Sequence, residues 1–218
     1  MDGSGTLSNE ARILWDAARG LAREAASVSA PLLFFTDPER TPEPWRTAER
    51  LPAGAGVVYR HFGAGDAEPV ARRLKAISRE RGLVLLIGLD ADLAEAVGAD
   101  GVHLPQRALE TAEALRTRRP DWLLTGAAHS VEAAKTAPGL LDAVVLSPIF
   151  PAGGASGAKT ALGLGALESA VRDGTGPIYA LGGVNAQTVD RLADTGACGI
   201  AGVDAVQRAF QGRADLRT

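Results

Sequence analysis

The sequence predicts a single (β/α)8 TIM barrel preceded by one extra helix, and three observations lead there. Short apolar runs alternate with helical stretches along the 218 residues, the pattern of a parallel sheet covered on both faces. Eight such runs favour closure over an open doubly wound sheet, and no G-x-G-x-x-G follows the first of them. Near the end, Ala180-Leu181-Gly182-Gly183-Val184-Asn185 and Gly199-Ile200-Ala201-Gly202-Val203 are apolar runs that end in small residues and lead into helix-like segments. Glycine there lets backbone N–H groups approach an anion, and a following helix N-terminus adds partial positive charge. Turns after the seventh and eighth strands are where such a barrel builds a phosphate cup, so the expected partner is a small phosphorylated substrate.

Residues 1–30 read as an N-terminal extension and 31–218 as one barrel domain. Within the extension, 1–8 form a flexible lead, and the Ala/Leu/Arg/Glu pattern of 9–27 predicts an amphipathic helix. Strands are expected at 32–36, 57–59, 84–87, 102–104, 123–126, 144–146, 178–181 and 199–201. Helices are expected at 69–80, 91–97, 109–118, 131–136, 166–172 and 187–195. The Pro-rich segment 40–57 replaces a regular first helix with an irregular one, and the Gly-rich stretch 153–161 reads as a lid on the catalytic face.

Composition excludes several classes. Lys and Arg total 23 against 26 Asp and Glu, a net charge of -3, so no basic footprint argues for nucleic acid or an anionic membrane. No long apolar span or signal peptide is seen. The lone Cys198 forms no internal disulfide and suits a reducing, cytoplasmic setting, where its Gly-Ala-Cys-Gly-Ile context reads as strand core.

Candidate chemistry gathers at expected strand ends. Arg60 ends the second strand, a fixed guanidinium for phosphate or carboxylate, with His61 beside it. His103 alternates with apolar neighbours in the fourth strand and reads as a packed, hydrogen-bonded histidine. His129 follows the small residues Gly126-Ala127-Ala128 and precedes Ser130, an N-cap candidate and possible substrate contact. Lys159 and Thr160 lie in the flexible sixth loop, with Lys159 suited to clamping a phosphate and Thr160, like His61 and His103, a candidate substrate contact. Asp37 is placed to orient neighbours, and Asp90 and Asp92 to cap a helix N-terminus. Gly88-Leu89 and Pro105-Gln106-Arg107 supply no clustered carboxylates, so no metal ligands are assigned.

Several of these pieces, taken in order, resemble the thiamine phosphate synthase superfamily, which also holds a metal-free thiazole tautomerase branch. They are Phe35-Thr36-Asp37, the run from Asp92 through Gly101-Val102-His103-Leu104-Pro105-Gln106, Gly126-Ala127-Ala128-His129-Ser130, Ser147-Pro148-Ile149-Phe150-Pro151 and Ala180 to Asn185. The resemblance implies a barrel, usually oligomeric (a homodimer here), that acts on thiazole phosphate held by Gly182, Gly183, Ala201, Gly202 and Val203. The synthase joins that phosphate to an aminopyrimidine diphosphate, with Mg2+ and basic groups stabilising the departing pyrophosphate.

Departures from the pattern shape the expectation. Gly88-Leu89 stand where the synthase has Asn-Asp, and Arg107-Ala108 where an acid follows Gln106. On the second strand Val58-Tyr59-Arg60-His61-Phe62 keeps the Arg of a Gln-x-Arg-x-Lys signature and loses the Gln and Lys. The Mg2+ expected of a family synthase therefore loses its ligands. A synthase with a degenerate metal site is the first reading, with His129, Arg60 and Lys159 as catalytic candidates. A metal-independent tautomerase using His129 is the second, and a non-catalytic phosphate-ligand barrel the third.

Overall fold

The computed structural model describes residues 7–25, 28–151 and 160–211. Its sheet is a closed parallel barrel in the order β1 to β8, with β8 returning to pair with β1. The strands are β1 (Leu32–Phe35), β2 (Gly56–Tyr59), β3 (Val84–Gly88), β4 (Gly101–Leu104), β5 (Leu123–Ala128), β6 (Ala143–Leu146), β7 (Ile178–Leu181) and β8 (Gly199–Gly202). All eight expected strands are present, with ends moved by two residues at most. The helices are α1 (Asn9–Glu24), α2 (Pro44–Ala48), α3 (Ala67–Arg81), α4 (Ala91–Val97), α5 (Ala112–Arg118), α6 (Val131–Lys135), α7 (Leu164–Asp173) and α8 (Asp204–Gln211).

Strand alternation sorts the side chains into two apolar layers. Leu33, Phe35, Val58, Leu86, Val145, Tyr179 and Ala201 point inward and fill the barrel. Leu32, Phe34, Val57, Leu85, Ile87, Val102, Leu104, Leu124 and Ile200 point outward and pack beneath the helices. Residues at the carboxyl ends of the strands on the inward register therefore meet in one place, where the site is built.

The N-terminal helix belongs to this packing. Ala11, Leu14, Ala18 and Leu21 recur at helical spacing and are buried, each leucine contributing about 2 kcal/mol. The Ser8 hydroxyl accepts from Ala11 N at 3.1 Å and donates to Ala209 O of α8 at 2.7 Å. α1 lies against β8, α8 and a 3-10 turn at Val189–Leu192.

That turn is a correction, because the sequence predicts an α-helix at 187–195. Local bonds compete with the helix: Asn185 N donates to Thr188 Oγ1 at 3.0 Å, Thr188 Oγ1 donates to Gly183 O at 2.8 Å, and Gln187 N donates to Asn185 Oδ1 at 2.8 Å. Asp194, with φ of 64°, then stops any continuation. With the wall after β7 this thin, α1 supplies the apolar cover. The helix expected at 109–118 is likewise divided, its first part a 3-10 segment at Gln106–Thr111 with a kink at Ala108. The stretch 152–159, holding Lys159 and most of the expected lid, lies outside the described residues.

Close strand approach fixes one glycine. A Cβ on Gly101 would sit 1.9 Å from the backbone oxygen of Leu123, in the adjacent strand. Gly101→Ala should separate β4 from β5 and cost about 3 kcal/mol. Urea denaturation measures this, and an unchanged midpoint would contradict the register.

Candidate active site

A cavity of about 910 Å3 opens at the carboxyl ends of the strands. Its floor holds inward-facing Phe35, His103, Val145, Leu181 and Ala201. Arg60, His61 and Phe62 line it after β2, Gly88 to Asp90 after β3, and His129 and Ser147 after β5 and β6. Gly182 to Asn185 and Gly202 to Ala205 complete it after β7 and β8. The sequence-derived candidates Arg60, His61, His103, His129, Gly182, Gly183, Ala201, Gly202 and Val203 thus share one chamber.

The β7–β8 side is a main-chain surface. Gly182 and Gly183 have φ of 93° and 66°, so their amides turn within a tight loop. A Cβ on Gly183 would lie 2.5 Å from Pro151 O and 2.6 Å from Phe150 Cβ. Among the described residues, none accepts a hydrogen bond from the N–H of Gly183, Val184 or Val203. The first turn of α8 stands beside them, and its Asp204 is neutralised by Arg40, whose Nε donates to Oδ1 at 2.9 Å while Nη2 pairs with Oδ2. That bond to Asp204 holds the Arg40 guanidinium above its ordinary pKa. This side of the chamber therefore combines amides without a partner among the described residues and a carboxylate already paired.

Arg60 faces the cavity from the opposite wall. Its Nε donates to Thr36 O at 2.7 Å, and its own N donates to Thr36 Oγ1 at 2.9 Å. The guanidinium carbon lies 5.4 Å from the Phe35 ring centre and 5.3 Å from that of Phe62. Asp37 Oδ2 is 3.7 Å from Nη2, while Asp37 Oδ1 accepts from Glu39 N and Arg40 N at 3.1 and 3.2 Å. Burial lowers the Arg60 pKa, against the pull of Asp37. The group remains a cation in a poorly solvated place, which strengthens its attraction for an anion.

The histidines have different roles. His103 is buried, its Nδ1 2.9 Å from Thr125 Oγ1 and its ring edge-on to Phe35 at 4.9 Å. Burial pushes its pKa down to about 3, with the charges of Arg60 and His129 acting in the same direction, so it is neutral at ordinary pH. His129 Nδ1 lies 3.2 Å from both the O and the Oγ of Ser147, and His129 N donates to Gln106 Oε1 at 2.8 Å. His61 Nδ1 accepts from Gly63 N at 3.1 Å, and its Nε2 lies 3.4 Å from Asp90 Oδ2. Ser130 caps α6 by accepting from Ala133 N at 3.1 Å, and this N-cap role, not a place in the cavity wall, is where the structure puts it. Thr160 is exposed and is likewise not among the described cavity-lining residues.

The residues present do not suit a divalent cation. Asp90 Oδ1 caps α4 by accepting from Leu93 N at 2.8 Å, and Asp92 pairs with Arg118 at 2.8 Å. Leu89 and Arg107 occupy the rest of the β3–β4 rim, one apolar and one cationic. Among the described residues, no three His, Cys, Asp or Glu side chains gather as ligands. Residues 152–159 add no carboxylate to the sequence there. Cys198 is buried and its thiol is pushed up to about 12 by desolvation, so it is no nucleophile.

A family model described as thiamine monophosphate synthase matches residues 32–206. The chain belongs to this family. It is 33% identical to the thiamine-phosphate synthase of Geobacillus thermodenitrificans over 151 residues, 68% of each chain. With the thiamine-phosphate synthase of Geobacillus kaustophilus it shares 34% identity over 158 residues, 69% of this chain and 71% of the relative. Among solved structures, the thiamine phosphate pyrophosphorylase from Pyrococcus furiosus superposes with a TM-score of 0.70 at 24% identity, covering 83% of this chain and 91% of that one. Within the family barrel, sequence reasoning missed the Arg40–Asp204 pair and the stacking of Arg60 between Phe35 and Phe62. An aspartate directly after the β8 cup was the one available signal for the first.

The pH response of His103 follows from its environment. Above its ordinary value of 6.5 both folded and unfolded chains hold it neutral. As pH falls from 6.5 towards 3, the unfolded chain binds a proton that the folded chain refuses. Stability then falls by up to about 1.4 kcal/mol per pH unit. Urea titrations of the protein and of His103→Gln across this window should differ in slope; equal slopes would mean that His103 protonates freely in the fold.

Proposed function

We propose that this chain makes thiamine phosphate by joining a thiazole phosphate to an aminopyrimidine diphosphate. One observation carries the reading: the free amides of the β7–β8 loops open onto the same cavity as Arg60 and His129, in a chain of the thiamine monophosphate synthase family. The amides of Gly182, Gly183 and Val203, with the first turn of α8, hold the phosphate and so anchor the thiazole ring. The new bond forms between the ring nitrogen and the pyrimidine methylene carbon. That carbon's bond to oxygen breaks, and diphosphate leaves with the electron pair. Negative charge grows on the departing oxygens, where Arg60, desolvated between two aromatic rings, stabilises it. Lys159 is proposed as a second cation for the same charge. The family resemblance supports a homo-oligomer.

A second reading, proton transfer on a thiazole ring by His129, is favoured by the placement of that imidazole in the cavity wall against Ser147 and by the poor ligand set opposite the cup.

Purified protein given both substrates should form thiamine phosphate, and a chelator should leave most of the rate. Arg60→Ala should lower kcat about a hundredfold. If chelation abolishes turnover, the metal site has been misjudged. His129→Ala should leave thiazole-ring proton exchange, followed by NMR, unchanged under the first reading and abolish it under the second. Binding of thiazole phosphate without any turnover would leave a ligand-binding barrel.

A further inference from the structure

The first turn of α8 carries a carboxylate beside the amides assigned above to a phosphate. Asp204 directly follows Val203, whose N–H has no acceptor among the described residues, and both residues line the cavity. A helix N-terminus favours negative charge, and Asp204 already brings one. Left alone, that carboxylate would repel a phosphate drawn to the same amides.

Arg40 meets the carboxylate with a forked contact. Its Nε donates to Asp204 Oδ1 at 2.9 Å, and its Nη2 pairs with Oδ2. The loop after β1 is shaped to hold the arginine there. Buried Thr41 accepts through Oγ1 from Asp37 N at 2.7 Å, and the same hydroxyl donates to Asp37 O at 2.9 Å. Asp37 Oδ1 then accepts from Arg40 N at 3.2 Å, which sets the backbone from which the side chain reaches α8. The Arg40 and Asp204 side chains are 28% and 37% exposed, so water alone screens the carboxylate poorly. Arg208, one turn further along α8, also lines the cavity, but it is exposed and water screens its charge. As a tie between a loop and a helix, a partly exposed ion pair contributes little to stability. Its place in the cavity wall calls for another account.

We propose that Arg40 is a positioning residue for phosphate recognition, which cancels the charge of Asp204 and so leaves the β7–β8 amides able to accept a phosphate. The fork fixes the guanidinium on the carboxylate, so the cancellation does not depend on a wandering side chain. Arg40 is then needed only while Asp204 carries its charge. The proposal rests on the synthase reading above for a phosphate at these amides, and it makes that recognition depend on a residue from the opposite end of the chain.

Calorimetry with inorganic phosphate, at low and at high ionic strength, tests it. Arg40→Ala should weaken phosphate about tenfold at low salt, and the loss should shrink as salt is added. Combining Arg40→Ala with Asp204→Asn should restore the parent's affinity. Asp204→Asn alone should bind phosphate at least as tightly as the parent, and this isosteric variant keeps the test decisive if Arg40→Ala fails to fold. Weaker binding by Asp204→Asn overturns the proposal, because the carboxylate would then be supporting the ligand. So does a double variant as weak as Arg40→Ala, which would make Arg40 a ligand in its own right. Unchanged affinity in Arg40→Ala, or a loss indifferent to salt, overturns it as well. In all these cases the parent still binds phosphate and the synthase reading stands. A parent protein that binds no phosphate removes the cup, and both readings fall with it.

Discussion

The pairing of β8 with β1 is the seam on which the site depends. Leu33 stands opposite Ala201 and Phe34 opposite Gly202, so the last strand ends beside the start of the β1 loop. That register brings Asp37 and Arg40 to the first turn of α8, where Arg40 meets Asp204 across a separation of 164 residues. It also places Phe35 and Ala201 on the same inner layer. A one-residue slip of β8 against β1 would turn the inward side chains of β8 outward. Arg60, held to Thr36 O by its Nε, is tied to the other edge of β1. β1 is thus the strand that joins the β8 end of the chamber to the Arg60 wall.

The electrostatics of the chamber follow from this geometry. Burial makes each charge more costly and each attraction stronger. His103 answers by remaining neutral, because a second buried cation beside Arg60 would have no counter-charge. Thr125 gives its ring a polar partner, so the imidazole is fixed without being charged. Arg40 meets a carboxylate bidentately, while Arg60 meets Asp37 only at 3.7 Å and keeps capacity for a ligand. One arginine completes the wall and the other presents charge to the cavity.

Legibility in the sequence tracks how local each cause is. Period-two apolar runs and tight small-residue turns are local, so all eight strands and the turns after β7 and β8 could be read. Asp90 as a helix cap was equally local. The failure at 187–195 came from Thr188 and Asn185, whose side chains bond to nearby backbone and displace an α-helix that composition alone would permit. The Arg40–Asp204 pair needs the barrel to be closed before it exists. Phe62 and Leu89 were invisible as a pair, since neither their exposure nor their positive φ is encoded in spacing. His103 was readable as packed, but the neighbours that keep it neutral, Arg60 and His129, come from other strands.

The two ends of the cavity are made of different material. At β7–β8 the wall includes amides without a partner among the described residues, whose positions depend on small residues and positive φ. A side chain on Gly183 would strike Pro151 O and Phe150, so few sequences can build that loop. At β2–β3 the groups are side chains set on loops that hydrogen-bond through their own backbone, as Leu89 N does to His103 O. Those loops are held by backbone bonds and by the His61 and Asp90 side chains, so the exposed Phe62 and Leu89 side chains take no part in the bonds that shape them. Charge, metal affinity and apolar surface can therefore change at this rim without disturbing the barrel or the amide cup. Leu89 and Arg107 can thus stand on this rim, one apolar and one cationic, without disturbing the amides at β7–β8.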